Sequence, residues 1–167
     1  NIKNNVEELD EQNIRFLNPF MAFTNEEILA KQLVTEFQKE FQIPEAEVRN
    51  AVHKAWEELD AAHRDIEKKG EETIAWLKEH NRRGIVLAGR PYHIDPEIGH
   101  GIDRLATSLG FAVVTEDSIT GLTQPAPVHV LNQWTYHSRL YAAARYAVAH
   151  PDVQLVQLVS FGCGLDA

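Results

Sequence analysis

Cys163 is the only cysteine in this 167-residue chain, and it stands between Gly162 and Gly164. Flanking glycines let backbone approach a ligand closely, and N–H groups gathered around a sulfur favour the thiolate. A second group of chemistry-bearing residues is Gly89, Arg90, Pro91, Tyr92 and His93, and a third is Glu116, Asp117 and Ser118. A nucleophilic Cys163 would need a base, for which His93 is the candidate. A metal reading of His93 and His100 lacks a third fixed ligand. Each residue also has a plainer reading. Gly89 turns the chain, Pro91 stiffens it, Tyr92 covers a core edge, Arg90 pairs with Asp95 or Glu97, and Cys163 is a small buried residue in a turn. The segment from Gly84 onward matches neither G-x-G-x-x-G nor G-x-x-x-x-G-K-[ST], so it carries no standard nucleotide fingerprint. A phosphate at the amino end of a helix beginning near Pro96 is the remaining possibility of that kind. Asp95 and Glu97 oppose it with negative charge, and Arg90 offsets them in part.

The elements that position these residues follow from periodicity. "GIVLAG" from Gly84, "FAVVTE" from Phe111 and "VQLVQLV" from Val153 are continuous apolar runs, the pattern of strands buried on both faces. Between the first two, Asp95-Pro96-Glu97 opens a helix with Ile98, Ile102, Leu105 and Leu109 on one face and Gly110 as its stop. Between the second and third lies the Ala-rich "WTYHSRLYAAARYAVAH", ended by Pro151. Its Ala side is expected on the sheet, with Tyr136, His137, Arg139, Tyr141, Arg145 and Tyr146 along the margins, in preference to an aromatic-basic binding face. The order strand–helix–strand–helix–strand predicts an α/β fold, a Rossmann-like three-layer unit with a short parallel sheet over residues 83–167. Parallel strands joined by right-handed crossovers put their carboxyl ends on one edge, where such sheets bind ligands. The three groups of chemistry-bearing residues would share that edge.

Upstream, residues 1–24 show no clear period and read as a loose lead-in. Residues 25–82 read as a helical segment. Thr24 or Asn25 is placed to cap a first helix, whose approximate apolar face is Ile28, Leu33, Phe37 and Phe41. Pro44 suits the first position of a second helix. There the apolar positions recur from Val48 through Val52, Trp56, Leu59, Ile66 and Ile74 to Leu77, with Gly70 as the place for a bend or break. His53 and His63 fall at ordinary surface spacing and have no assigned role.

Sixteen basic against 25 acidic residues give a net charge of −9, the wrong sign for a nucleic-acid surface. No apolar run approaches the roughly 18 residues that span a bilayer, which argues against a membrane protein. One cysteine allows no internal disulfide, and the chain reads as cytoplasmic. Its first residue, Asn1, and a stop soon after a strand suggest a segment of a longer parent.

"GRPYHIDPEIGHGI", "GFAVVTEDSI" and "VQLVSFGCGLDA" together resemble the large activase-related proteins associated with 2-hydroxyacyl-CoA dehydratases. The resemblance covers about residues 84–167, and the helical half resembles the preceding segment less specifically. It implies part of an ATP-linked, iron–sulfur system acting on CoA thioesters, partnered by dehydratase subunits and an ATPase module. It further implies Cys163 as a candidate ligand of a [4Fe-4S] cluster in the parent, with the Gly89–His93 and Glu116–Ser118 loops lining the same cleft as Gly162 and Gly164. With a single cysteine and no ATPase module, the segment alone should hold neither cluster nor ATP and should be inactive. A different class of function is a non-catalytic α/β module that binds a CoA-like ligand or partner subunit through its strand-end loops. A third is a cysteine-dependent enzyme using Cys163 and His93.

Overall fold

The computed structural model describes residues 2–95, 97–124 and 135–159. Pro96, Gly162, Cys163 and Gly164, and the readings that rest on them, lie outside the described residues. The chain divides into two compact units, Asn1–Asp60 and Ala61–Ala167.

In the first unit the lead-in, expected without regular structure, carries two single helical turns, α1 (Ile2–Asn5) and α2 (Glu8–Glu11). Helix α3 (Glu26–Phe41) begins at Asn25, whose side chain accepts a hydrogen bond from the Ile28 N–H at 3.0 Å. Glu26 and Glu27 then place negative charge beside the positive end of the helix dipole. Helix α4 (Glu45–Glu79) starts just after Pro44, whose carbonyl accepts the N–H groups of Glu47 and Val48. Leu29, Ala30 and Val52 form the small core of this helical hairpin, with Met21, Leu33 and Trp56 packed against it.

Gly70 does not break α4, which runs unbroken to Glu79. A Cβ at Gly70 would lie 1.9 Å from the Ser118 carbonyl oxygen. The glycine therefore serves close approach of the helix to backbone, at the cost of helix propensity.

In the second unit three parallel strands, β1 (Gly84–Ala88), β2 (Ala112–Thr115) and β3 (Val153–Gln157), form a sheet in the order β2-β1-β3. Gly84 is in register with both Ala112 and Val153. Val86, Leu87 and Ala88 in the middle strand are almost wholly buried, as a strand paired on both sides and covered on both faces requires. On one side the core combines Val86, Val114 and Val153 of the sheet with Ile74 and Leu77 of α4, and with Ile119, Ala143 and Tyr146.

Two connections differ from expectation. Asp95 caps as anticipated, accepting the N–H groups of Glu97 at 2.9 Å and Ile98 at 2.8 Å. The chain then passes through a run of turns, and helix α5 is only Ile102–Ser108, entered through Gly101 at φ 71. The shared apolar face lies outside the core: Ile98, Leu105 and Leu109 are 59, 59 and 67% exposed, and Ala106 is the buried position. Gly110 does stop the helix, with φ 90. The segment after β2 is not an open loop but a helical turn, α6 (Glu116–Ile119). Helix α7 (Thr135–Ala149) then buries Ala142 and Ala143 as expected, but also His137 and Tyr146, both expected at its margins.

Candidate functional site

All three strands end on one edge of the sheet, and the β1 and β2 ends bring their polar residues there. After β1 the chain enters a single 3-10 turn at Pro91–His93. The Arg90 N–H donates to His93 Nδ1 at 3.0 Å. An accepting Nδ1 leaves the neutral imidazole proton on Nε2. Gly89 is buried, and a Cβ there would meet the His93 ring 2.7 Å from Nδ1. Its glycine thus makes room for His93; its φ lies outside the positive range. Tyr92 packs against His93, their ring centroids 4.4 Å apart.

The β2 end is built around a buried carboxylate. Glu116 is 3% exposed, and its Oε1 lies 3.6 Å from a guanidinium nitrogen of Arg139. Glu116 Oε2 and Arg139 Nε have no hydrogen-bond partner among the described residues. Burial pushes the Glu116 carboxyl above its ordinary value, and the neighbouring Asp117 charge adds to this, with Arg139 opposing both. Asp117 is occupied locally, accepting from the Thr115 hydroxyl, and the Ser118 hydroxyl donates to the Thr115 carbonyl at 2.8 Å. Asp117 and Arg139 also line a cavity of about 390 Å³ with His63, Glu67, Thr120 and Thr135.

Helix α7 joins the two ends. The Arg90 guanidinium carbon lies over the Tyr136 ring, 5.1 Å from its centroid, while Arg139, three residues along α7, reaches Glu116. His137, 5% exposed, sits between them in sequence and meets the Tyr136 ring edge-on at 5.0 Å. Sequence reasoning gave Tyr136, His137 and Arg139 a packing role only. Connectivity supplied the missed signal: a helix that follows a parallel strand starts at the edge where that strand ended, so its first turns face the same site.

Among the described residues, His93 and His100 included, no three His, Cys, Asp or Glu side chains are placed to share an ion. The chain's one cysteine could supply a cluster with a single thiolate, so the residues present do not fit a self-contained iron–sulfur site. Phosphate binding at a helix beginning near Pro96 loses its basis, since α5 begins later, at Ile102.

The second unit is therefore an α/β module with a parallel sheet and a polar, partly buried site at the strand ends, preceded by a helical hairpin. Residues 1–119 of the 167 match the family described as CoA enzyme activase uncharacterised domain, and the chain belongs to that family. The match takes in the helical half and the β1 and β2 ends of the site, and it stops short of α7 and β3. No curated protein and no solved structure matches the chain. Among the described residues no helix is long and apolar enough to cross a membrane.

Proposed function

We propose that the chain is a binding segment of an ATP-linked, iron–sulfur activator of 2-hydroxyacyl-CoA dehydratase-type enzymes. In this reading the strand-end edge of the second unit receives the CoA part of a thioester. The observation that carries it is Arg90 at the carboxyl end of the middle strand, held against Tyr136 at the head of α7. A guanidinium suits phosphate oxygens because its planar fork donates two parallel hydrogen bonds. A parallel sheet presents ligands at that edge. No catalytic step is assigned to the chain.

Ligand that binds only the folded state raises the unfolding midpoint. Free CoA at about a hundred times its dissociation constant should stabilise the chain by about 2.7 kcal/mol, and Arg90→Ala should abolish the shift while leaving the ligand-free midpoint nearly unchanged. No shift with CoA, or an equal shift in the variant, would remove the edge as a CoA site.

A second reading concerns the cluster. Strand β3 ends at Gln157, at the edge that holds Arg90 and His93, and Cys163 follows six residues later. On this reading Cys163 contributes one thiolate to a [4Fe-4S] cluster completed by dehydratase subunits or other parts of the parent. Anaerobic reconstitution of the parent should give iron and acid-labile sulfide that fall on Cys163→Ala. Equal iron in both proteins would exclude Cys163 as an essential ligand.

A further inference from the structure

The helical hairpin carries an apolar groove of about 440 Å³ that belongs entirely to the first unit. Its walls are Leu29, Leu33 and Phe37 of α3 and Ala51, Ala55 and Leu59 of α4, each set repeating every four residues along one helix face. Phe23 at its mouth is 73% exposed. Two helices can bury only the stripe between them, and this pair leaves its second stripe open.

The chemistry of the walls restricts what fits. Both walls are helices whose backbone groups are satisfied internally, so the groove offers nothing to pair with an extended strand. An added helix brings its own satisfied backbone and needs only an apolar face. Glu47 lines the groove, and helical periodicity puts Glu58 on the same flank of α4 and Glu36 on the outer flank of α3. None of the three has an ion-pair partner among the described residues. Lys54, the basic residue on that α4 flank, is tied to Glu57 at 2.6 Å. Residues 1–60 hold 13 acidic and 6 basic residues, a net −7 of the chain's −9. A fatty acid or an acyl phosphate would bring its anion to this rim, and a second copy of the hairpin would bring an equal negative charge.

We infer that the groove is a docking site for a basic amphipathic helix of a partner protein, its apolar face between α3 and α4 and its Lys or Arg residues on the acidic rim. From Glu47 to Leu59 the α4 wall runs about three turns, or about 18 Å, so a helix of about twelve residues fills it.

The test uses two fluorescent model helices with the same leucine face, one with lysine and one with glutamate at every polar position, titrated into the full chain. The lysine peptide is expected to bind at least about tenfold more tightly, because opposite rim charges attract and like charges repel. Ala55→Trp, which fills the groove without changing charge, should weaken it at least about tenfold with helix content by circular dichroism unchanged, and the E47K/E58K variant should shrink the preference between peptides. Equal binding of both peptides, binding unaffected by Ala55→Trp, or no binding at about 1 mM would overturn the inference. So would a dimer in light scattering that Ala55→Trp dissolves, since the occupant would then be a second copy.

Discussion

At Gly70 the choice of one hydrogen over one methyl group decides how closely α4 meets α6. Alanine would raise helix propensity by about 1 kcal/mol, but its Cβ would lie 1.9 Å from a backbone oxygen that no rotamer change can move. The clash wins, and Gly70→Ala is expected to destabilise the second unit by about 3 kcal/mol; chemical denaturation measures this, and a neutral or stabilised variant would refute the close approach. Glu116 gives a prediction with a definite sign. Its folded-state value is raised above 4.5, chiefly by burial, so its contribution to stability is complete below that value and is lost as pH rises through the higher folded value. Glu116→Gln cannot suffer that loss. The midpoint difference, variant minus parent, should therefore grow as pH rises above about 4.5. A difference that shrinks over this range would mean that Arg139 outweighs burial. Gly70 was visible in the sequence only as an interruption, because its distant neighbour Ser118 leaves no local trace.

Among the elements, α3 ends imperfectly. Its C-cap residue Gln42 adopts φ 58, a left-handed conformation that costs a side-chain-bearing residue roughly 1 kcal/mol. Gln42→Gly should recover part of this, about 0.5 kcal/mol or more, as a higher unfolding midpoint; a lower midpoint would show that the Gln42 side chain contributes contacts worth more than the strain. Helices α3 and α4 were legible because caps and long periodic stripes are local signals. Helix α5 was misread because Ile98, Leu105 and Leu109 repeat as a core face should, and period alone does not say whether anything covers it. The Arg90, His93 and Glu116 end of the site was legible from strand order. The α7 contribution was not, because its Ala-rich period spoke for packing and the site-facing residues occupy only its first two turns.

At the scale of the whole chain the two units differ in how much they bury. Among the described residues the main buried cluster of the hairpin has three members, and the one on the sheet has eight. Native-state hydrogen exchange should therefore protect Val86 and Leu87 of β1 more strongly than any amide of α3, by a difference of about 1 kcal/mol or more in opening free energy. Equal protection would mean that the two units open together. The division also separates charge, with most of the net negative charge on the hairpin and the guanidinium groups of Arg90 and Arg139 on the sheet edge. The boundary within a single long helix was not legible in the sequence, since α4 keeps its period across Asp60.

The register of the middle strand fixes the order in which this protein comes together as it is made. Gly84 must meet Ala112 and then Val153, partners 28 and 69 residues further along, and no hairpin of adjacent strands exists among the described residues to start the sheet. Closing such long loops delays parallel pairing. A nascent chain leaving the ribosome has α3 and both halves of α4 complete while β1 still waits with two bare edges. The first of those edges is covered once β2 emerges, and the second only when Val153–Gln157 has been synthesised. Any stall in translation between Thr115 and Val153 therefore leaves the most apolar of the three described strands half paired, and that interval is where a growing chain most needs protection from its neighbours.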